Sequence, residues 1–203
     1  MILDKILLNA AVDAGVEVRE RFSVEELVTD GDRVTGIPRP VSGRRPVQEE
    51  ARIVIGADGV RSAIARMVDA PAYNEQPATS CAYYSYWSNV SIQAAELYPR
   101  PERMLIAAPT NDGLTLLISY WPQTAFDQVR ADIEGEFMQA LDIVPSLAER
   151  FRAGSRVEKF QGSGDLRGFF RRPFGPGWAL VGDAGYHKES DYRGGDHRFV
   201  PRR

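Results

Sequence analysis

The hydrophobic positions at the start of the chain recur at helical spacing. They predict a helix that begins almost at Met1 and ends at Gly15, a residue type that commonly follows the last helical turn. The helical spacing does not continue beyond Gly15. The sequence then predicts a strand over residues 19–27, a turn over residues 29–32 and a returning strand over residues 33–37. The apolar positions of the helix are Ile2, Leu3, Ile6, Leu7, Ala10, Ala11 and Ala14.

A short apolar run, Ile53-Val54-Ile55, then ends in small residues and one acid. Such a run is typical of a parallel strand that is covered on both faces. Gly56 and Ala57 allow the backbone or a ligand to approach closely, and Asp58-Gly59 places a carboxylate and a turn at the end of the strand. Ser62 is the predicted cap of a helix that carries Ile64, Met67 and Val68.

A second stretch late in the chain has the same design. The apolar run at residues 178–181 leads into Gly182-Asp183-Ala184-Gly185. Taken alone, each stretch is more often a simple turn than a ligand site. Strand, small residues, acid and turn are nevertheless how open α/β sheets build ligand sites, because the ligand lies beyond the carboxyl ends of the strands.

Between these stretches the pattern predicts a second domain. Residues 71–77 contain two prolines and are a plausible crossing between domains, while residues 81–90 alternate as a strand does. Residues 104–106 and 114–118 flank Thr110-Asn111-Asp112-Gly113, which predicts a hairpin. Residues 126–152 predict one helix or two, interrupted at Gly135 and Pro145.

Composition and charge narrow the possible ligands. The 203 residues carry 43% hydrophobic residues and a net charge of -3 from well-mixed acids and bases, which argues against a nucleic-acid or anionic-membrane partner and favours a small-molecule ligand. A single cysteine, Cys81, excludes an intrachain disulfide, and with only two histidines no structural zinc or other metal site is predicted. No apolar run approaches the roughly 20 residues that span a bilayer, so we expect a cytoplasmic protein. Arg44 and Arg45, in the proline-containing loop over residues 38–50, are interpreted as solvated charges rather than as a phosphate site.

The two motifs together resemble a known pair of fingerprints. The run from Ile53 to Gly59 with Ser62, and the later run from Leu180 to Ala184, are similar to the second and third fingerprints of FAD-dependent aromatic-hydroxylase-type monooxygenases. These are the enzymes with the p-hydroxybenzoate hydroxylase fold, and the resemblance covers residues 1–188. It implies a mixed α/β fold: a partial three-layer FAD-binding domain with a parallel sheet, plus a middle antiparallel β-sheet domain for the substrate. The expected division is residues 1–72 and 161–188 for the FAD-binding domain, 73–160 for the middle domain and 189–203 for an irregular tail.

The resemblance also implies a function and a set of site residues. FAD would be reduced by NADPH or NADH, and one oxygen atom of O2 would be transferred to an aromatic or related small molecule. Because the flavin carries this chemistry, no catalytic side chain is named, and the pair Tyr186-His187 is ranked below a structural role. The middle sheet would roof the substrate pocket, with Tyr84, Tyr86 or Trp87 facing it. The implied cofactor-binding residues are Asp58, Gly59, Ser62, Gly182, Asp183 and Ala184.

Three departures from the family pattern leave alternatives open. No GxGxxG turn precedes Met1, Ala65 stands where the family usually has Arg, and the match stops after Lys188. We therefore expect a fragment with unpaired apolar strand edges and marginal stability. The alternatives are a flavin-dependent reductase or dehydrogenase of the same fold and a truncated, non-catalytic remnant that binds FAD weakly. A halogenase is disfavoured because no tandem tryptophan lies near Trp87 or Trp121. The oligomeric state is not predicted.

Overall fold

A computed structural model of the protein describes residues 2–39 and 47–188. Arg44, Arg45 and the tail after Lys188, with the interpretations attached to them, lie outside the described residues. Within the described ranges the fold is mixed α/β, as the sequence predicts.

The elements follow one another in this order. The helices are α1 (Ile2–Asp13), α2 (Ala63–Met67), α3 (Phe126–Ala131), α4 (Ile133–Asp142) and α5 (Pro145–Ala153). The strands are β1 (Val28–Asp30), β2 (Arg33–Arg39), β3 (Val47–Glu50), β4 (Val54–Gly56), β5 (Ala72–Gln76), β6 (Ser80–Ser88), β7 (Glu96–Arg100), β8 (Arg103–Pro109), β9 (Thr115–Pro122), β10 (Ser155–Arg156), β11 (Gln161–Ser163), β12 (Gly168–Arg171), β13 (Phe174–Gly175), β14 (Trp178–Leu180) and β15 (Tyr186–His187).

Three local predictions are wrong. The apolar run at β4 is not covered on both faces, since Ile53 is 50% and Ile55 is 55% exposed. The strand expected over residues 19–27 does not form, and the first strand begins only at Val28. Arg21 has a φ of 57°, which is incompatible with an extended strand, while Val24 and Leu27 pack against the core from an irregular segment. The helical region contains three helices instead of one or two, and Gly135 lies inside α4.

The actual break before α4 has a clear cause. Asp132 leaves the helical conformation at a φ of -142°, and its carboxylate accepts a hydrogen bond from the Gly135 amide at 2.9 Å. It therefore caps a new helix. Pro145, which was correctly identified as a breakpoint, occupies the first turn of α5, where a missing N–H has no cost.

The chain divides into two compact units, and the first comprises residues 1–70 and 173–184. It holds an antiparallel sheet β1-β2-β3 and a second sheet β13-β14-β4, in which β14 and β4 are parallel. Its core is a small cluster around Val34, Ile64, Trp178 and Leu180. Strand β4 lies at the edge of its sheet, and no other strand of the described residues pairs with its second edge.

The second unit comprises residues 71–172 and continues from Gly185. Strands β10-β6-β9-β8-β7 form an antiparallel sheet in which β11 also pairs with β6. Helices α3, α4 and α5 contribute to a core on one face of this sheet, where the rings of Trp87, Trp121 and Phe137 meet. The opposite face, which we call the open face, is half-exposed and carries Ala82, Tyr84, Tyr86, Leu116, Ile118 and Tyr120.

A smaller sheet, β15-β12-β5, completes the second unit. Tyr73, Phe170 and Tyr186 stand opposite one another on its three strands. Their rings form a stacked row, with centroids 5.7 Å apart for Tyr73 and Phe170 and 5.8 Å apart for Phe170 and Tyr186. Cross-strand aromatic pairs of this kind help to fix the register of a narrow sheet.

The described residues contain neither a membrane-spanning helix nor a metal-binding cluster. None of their helices is both long and apolar enough to cross a membrane. Nor do their histidine, cysteine and acidic side chains form a group of three that could hold a metal ion.

Candidate functional site

The two sequence motifs lie side by side in the first unit. Strands β4 and β14 run parallel, with Val54 opposite Trp178 and Gly56 opposite Leu180, and the Val181 amide donates to the Gly56 carbonyl at 2.9 Å. Each strand ends at the same edge of the sheet, so the turn that begins after Gly56 and the turn that begins after Leu180 emerge together. This is the position at which open α/β sheets bind ligands.

The first turn is organised by Asp58. One carboxylate oxygen accepts from the Ser62 hydroxyl at 2.6 Å, and the other accepts from the backbone amides of Ala63 at 2.6 Å and Ile64 at 3.2 Å. Ser62, fully buried, in turn accepts from the Ala65 amide at 2.9 Å and caps α2. Both oxygens of Asp58 are thus committed to the start of the helix.

The same contacts decide the charge of Asp58. Partial burial acts to raise its pKa, but the hydrogen bonds from Ser62, Ile64 and Ala63 outweigh it and hold the pKa below its ordinary value. Asp58 therefore carries its negative charge at neutral pH. Although Asp58 is exposed, both of its carboxylate oxygens are used to order the turn.

Glycines supply the close approaches in both turns. A Cβ on Gly56 would lie 2.9 Å from the Cβ of Ile64 and 2.9 Å from Leu180 Cδ2, so only glycine lets α2 pack this near the strands. Gly59 and Gly182 have positive φ angles of 78° and 56°, and nothing lies within 4 Å of a Cβ built on either. The backbone of the two turns is consequently open to an approaching ligand.

The second turn contributes a carboxylate of a different kind. Asp183 is exposed, and its side chain makes no hydrogen bond or ion pair within the described residues. Ala184, one residue later, is fully buried in the small core and anchors the turn. Asp183 is therefore the acid of the pair whose oxygens are available to a donor.

Arg66 lies in the last turn of α2, one position after the Ala65 that stands where the family usually has Arg. Its guanidinium donates to the Arg61 carbonyl at 2.6 Å and links the end of α2 back to the turn. Ala65, at the position where the family usually has Arg, is buried in the core of the first unit. The one-residue displacement thus keeps an arginine on the exposed side of the helix.

The second unit separates the three aromatic residues expected at the substrate pocket. Trp87 lies in the helix-covered core, where it stacks on Phe137 and meets Phe151 edge-on, so it has a packing role. Tyr84 and Tyr86 lie on the open face, with their rings edge to face at 6.0 Å. The alternation of β6 could have separated Trp87 from the tyrosines, but only the helices show which face is covered.

An open cavity of about 390 Å³ lies on this open face. It uses Tyr84 but also residues that sequence reasoning did not single out. Ile118 and Tyr120 come from β9, while Gln161, Gly162 and Ser163 come from β11, which returns along β6 in a pairing that is not visible in the sequence. The lining residues are Ala82, Tyr84, Ile118, Tyr120, Gln161, Gly162, Ser163 and Leu166.

The pair Tyr186-His187 is held by the small sheet. The Nδ1 atom of His187 lies 2.7 Å from the Arg167 carbonyl oxygen, and its ring stacks on Phe169. A ring nitrogen next to a carbonyl must carry the proton, so this contact fixes the tautomer and the orientation of the ring. His187 therefore has a structural partner in the small sheet.

The chain is similar in sequence to known proteins. Residues 2–142 match the sequence model of a family described as FAD binding domain. The chain is 30% identical over 193 residues to digeranylgeranylglycerophospholipid reductase 1 of Methanopyrus kandleri, covering 90% of this chain and 49% of that protein.

Solved structures share the fold. The myxobacterial chondrochloren halogenase CndH superimposes with a TM-score of 0.81 at 22% identity, covering 94% of this chain and 46% of that one. A flavoprotein/dehydrogenase from Cytophaga hutchinsonii gives a TM-score of 0.74 at 18% identity, covering 93% and 47%. The chain therefore spans about half the length of each of these three proteins.

Proposed function

The chain belongs to the FAD-binding domain family of the p-hydroxybenzoate hydroxylase type, and from this premise we propose that it is part of an FAD-dependent monooxygenase. Such an enzyme would take electrons from NADPH or NADH and insert one atom of O2 into an aromatic or related small molecule. The observation that carries the proposal is the shared edge of β4 and β14, where the two turns emerge in register.

The residues of the two turns fit FAD. A flavin dinucleotide carries a pyrophosphate, which approaches backbone amides, and a ribitol chain whose hydroxyls are donors. Gly59 and Gly182 leave the backbone open where a side chain would otherwise stand. Asp183 offers a free carboxylate to a ribitol hydroxyl, the charge-assisted type of hydrogen bond.

Each residue then has a defined task. When bound, FAD supplies the redox chemistry with the nicotinamide and with O2. Asp183 and the amides near Gly182 would hold the ribitol, while Asp58 and Ser62 keep the first turn in shape without contacting the cofactor. Tyr84 and the open face of the middle sheet would bind the organic substrate and exclude water from it.

A second candidate is a flavin-dependent reductase of the same fold. It is favoured by the relative from Methanopyrus kandleri, which is named as a reductase and matches 90% of this chain. The sequence identity to the halogenases is below 25%, so this similarity supports only the fold. The two candidates differ in the electron acceptor, which is O2 for the monooxygenase and a carbon–carbon double bond for the reductase.

The first experiment is the visible spectrum of the purified 203-residue chain after incubation with FAD and desalting. We expect retained flavin bands, and about tenfold weaker retention in Asp183→Asn because a charge-assisted hydrogen bond is lost. Asp112→Asn, an exposed turn acid of the second unit, is the matched control and should bind like the wild type. A folded chain that retains no flavin would contradict the proposal.

The acceptor is tested on the flavin-loaded chain. After reduction by NADPH without oxygen, admission of O2 should reoxidise the flavin rapidly, with uptake of O2 in step with NADPH under turnover. If the reduced flavin is instead reoxidised without oxygen by geranylgeraniol and only slowly by O2, the reductase is the better assignment.

A further inference from the structure

The dipeptide Asp-Gly occurs three times in the chain, at Asp30, Asp58 and Asp112. Such a pair can rearrange without an enzyme, because the amide nitrogen that follows an aspartate can attack the side-chain carboxyl. Glycine hinders this attack least, since it has no side chain. The three pairs share the same intrinsic chemistry, so the fold decides which of them reacts.

The rearrangement balances without an oxidant or a reductant. The glycine nitrogen forms a bond to Cγ of the aspartate, and its hydrogen leaves together with the carboxyl OH as one molecule of water. Water then opens the resulting five-membered succinimide. Opening at the carbonyl next to Cα breaks the bond between that carbonyl carbon and the nitrogen, and the main chain then runs through the side chain as isoaspartate. The new α-carboxylate replaces the old carboxylate, so the mass and the net charge of the chain are unchanged.

The fold holds the carboxyl group of Asp58 in place. One of its oxygens accepts from the Ser62 hydroxyl at 2.6 Å, and the other accepts from the amides of Ala63 at 2.6 Å and Ile64 at 3.2 Å. The carboxyl cannot turn toward the Gly59 nitrogen until these bonds open. The pKa of Asp58 is also lowered, so the group is ionised at neutral pH, and an ionised carboxylate is a poor electrophile.

The main chain, rather than the side chain, restrains Asp30. It is the last residue of β1 and stands opposite Arg33 on β2, across the two-residue turn Gly31-Asp32. Its side chain is exposed and makes no hydrogen bond within the described residues. The succinimide ring can close only if the peptide between Asp30 and Gly31 rotates, and that rotation would disturb the pairing with Arg33.

Neither restraint acts on Asp112. It lies between β8, which ends at Pro109, and β9, which begins at Thr115. Asp112 and Gly113 are both exposed. In the part of the chain that the structure describes, the carboxylate of Asp112 makes no hydrogen bond or ion pair. Its carboxyl group is therefore free to turn toward the Gly113 nitrogen.

The backbone of this loop also leaves room for the rearrangement. Backbone hydrogen bonds close the loop from Thr110 to Leu114 and from Leu114 to Asn111, and these bonds do not use the Asp-Gly pair. Asp112 has a φ of 59°, in the left-handed region that side chains occupy at a cost. Nothing lies within 4 Å of a Cβ built on Gly113, so the peptide between the two residues has open space in which to rotate.

We propose that Asp112-Gly113 is a modification site, at which isoaspartate forms spontaneously, and that the hydrogen bonds of Asp58 protect the turn after β4 from the same reaction. Isoaspartate at position 58 would add a methylene group to the main chain and release the helix amides that Asp58 holds. At position 112 the added methylene lies in an exposed loop, and the strand pairs of β8 and β9 retain the hairpin. The inference concerns the chain alone and does not rest on the proposed function.

The test follows all three sites in one sample. The full chain is incubated for weeks at mildly acidic pH in water labelled with heavy oxygen, once folded and once in guanidinium chloride. Peptide mass spectrometry with electron-transfer fragmentation identifies isoaspartate at each site, and each ring opening adds one labelled oxygen atom. In the folded chain we expect Asp112 to react about tenfold faster than Asp30 and at least about a hundredfold faster than Asp58, since the other two must first break hydrogen bonds. In guanidinium chloride the three rates should become similar.

The variants assign the reaction to its site. Asp112→Glu should abolish it in the hairpin, because the longer carboxyl would have to close a six-membered ring. Asp112→Asn should react faster than the wild type through the same succinimide, with ammonia as the leaving group in place of water. Asp30→Glu is the matched control and should leave the rate at Asp112 unchanged. Ser62→Ala should raise the rate at Asp58 about tenfold, the equivalent of one hydrogen bond.

Two results overturn the inference. If Asp112 of the folded chain reacts no faster than Asp30, or forms no isoaspartate although the denatured chain does, the hairpin is not the modification site. If Asp58 reacts as fast in the folded chain as in guanidinium chloride, its hydrogen bonds give no protection. Because FAD is absent from the incubation, both results are independent of flavin retention.

Discussion

The two units of the chain differ in how they cover their apolar side chains. In the second unit a continuous aromatic core is sealed between the sheet and three helices, and Phe137, Leu141 and Leu147 are fully buried. In the first unit the apolar positions of α1 are mostly exposed, among them Leu3 at 66% and Leu7 at 60%. Ten large apolar side chains of the first unit are exposed against five of the second, among the residues described.

The two units show that the stability of a unit and the geometry of its turns have different physical origins. The first unit buries little, yet its two turns are sharply defined, because the Asp58 hydrogen bonds and the Gly56 contact act over short range. The second unit draws its stability from burial, which is proportional to the area removed from water. The turns proposed to bind a ligand can thus be preformed in a thinly packed unit, while the face proposed to bind the substrate belongs to a well-packed one.

The strongest test places one substitution in each unit. Phe137→Ala removes a fully buried ring that meets Trp87, Trp121 and Phe160, and we expect it to cost about 3–5 kcal/mol in the free energy of unfolding. Phe174→Ala in the first unit removes a ring that is 66% exposed and should cost less than about 0.5 kcal/mol. Urea unfolding measures the loss in the free energy of unfolding for each variant. Hydrogen exchange with mass spectrometry then assigns that loss to one of the two units.

Similar losses for the two alanine variants would break the comparison. They would mean that Phe174 is covered in solution, since an exposed ring has no transfer free energy to lose. Exchange in the wild type gives an independent check. Amides of β6 and β9 should exchange far more slowly than those of α1.

A second pair of substitutions tests local packing at the site. Gly56→Ala would force a Cβ to within 2.9 Å of Ile64 and Leu180, and such overpacking should cost about 1–3 kcal/mol. Gly168→Ala in the second unit is the matched control. Its Cβ would lie 3.5 Å from the nearest atom, Gln76 Cβ, so its free energy of unfolding should change by no more than about 0.5 kcal/mol. Thermal melts of the two variants measure the difference.

A tolerated alanine at position 56 would mean that α2 can move away from the strands. The first turn would then be less rigid than the Asp58 hydrogen bonds indicate. Flavin retention by Gly56→Ala, measured as for the wild type, would show whether that movement matters for the proposed cofactor site.

The sequence predicted the elements whose signals are local. The cap at Ser62 and the hairpin around Asp112-Gly113 depend on residues close in the chain, and the structure contains both. Both motifs were recognised as apolar runs that end in small residues and an acid, but only the structure places them side by side. Gly56 could also be read as a close-approach residue from its place after an apolar run.

Features that depend on residues distant in the chain could not be predicted from the sequence. Gln161 joins the cavity only because β11 returns along β6, a pairing over 77 positions that no local pattern encodes. Tertiary packing also decides which face of β6 the helices cover. The sequence therefore did not show that Trp87 is buried while Tyr84 is not. The failed strand over residues 19–27 shows the reverse case, in which a local pattern was overridden by a positive φ at Arg21.

The smallest expected effect concerns one carboxylate in each unit. In the second unit, Arg150 and then Tyr98 donate to Glu96 and lower its pKa. In the first unit, the pKa of Asp58 is also lowered, since the hydrogen bonds from Ser62 and the helix amides outweigh partial burial. A carboxylate whose pKa is lower in the folded than in the unfolded state stabilises the fold above its unfolded pKa. That contribution is lost as the pH falls through the folded value, which lies below the ordinary pKa of the carboxyl group.

We therefore expect Glu96→Gln and Asp58→Asn each to lose about 1 kcal/mol at pH 7 and less than that at pH 3. Glu102→Gln, an exposed acid whose side chain makes no hydrogen bond within the described residues, should follow the wild type at both pH values. Hydrogen exchange at the two pH values should place the change at β7 and α5 for Glu96→Gln and at α2 for Asp58→Asn. If the difference in the free energy of unfolding from the wild type stays constant with pH, the variant has removed packing rather than an ionised carboxylate. For Asp58→Asn, the thinly packed first unit would then depend on more than its short-range hydrogen bonds.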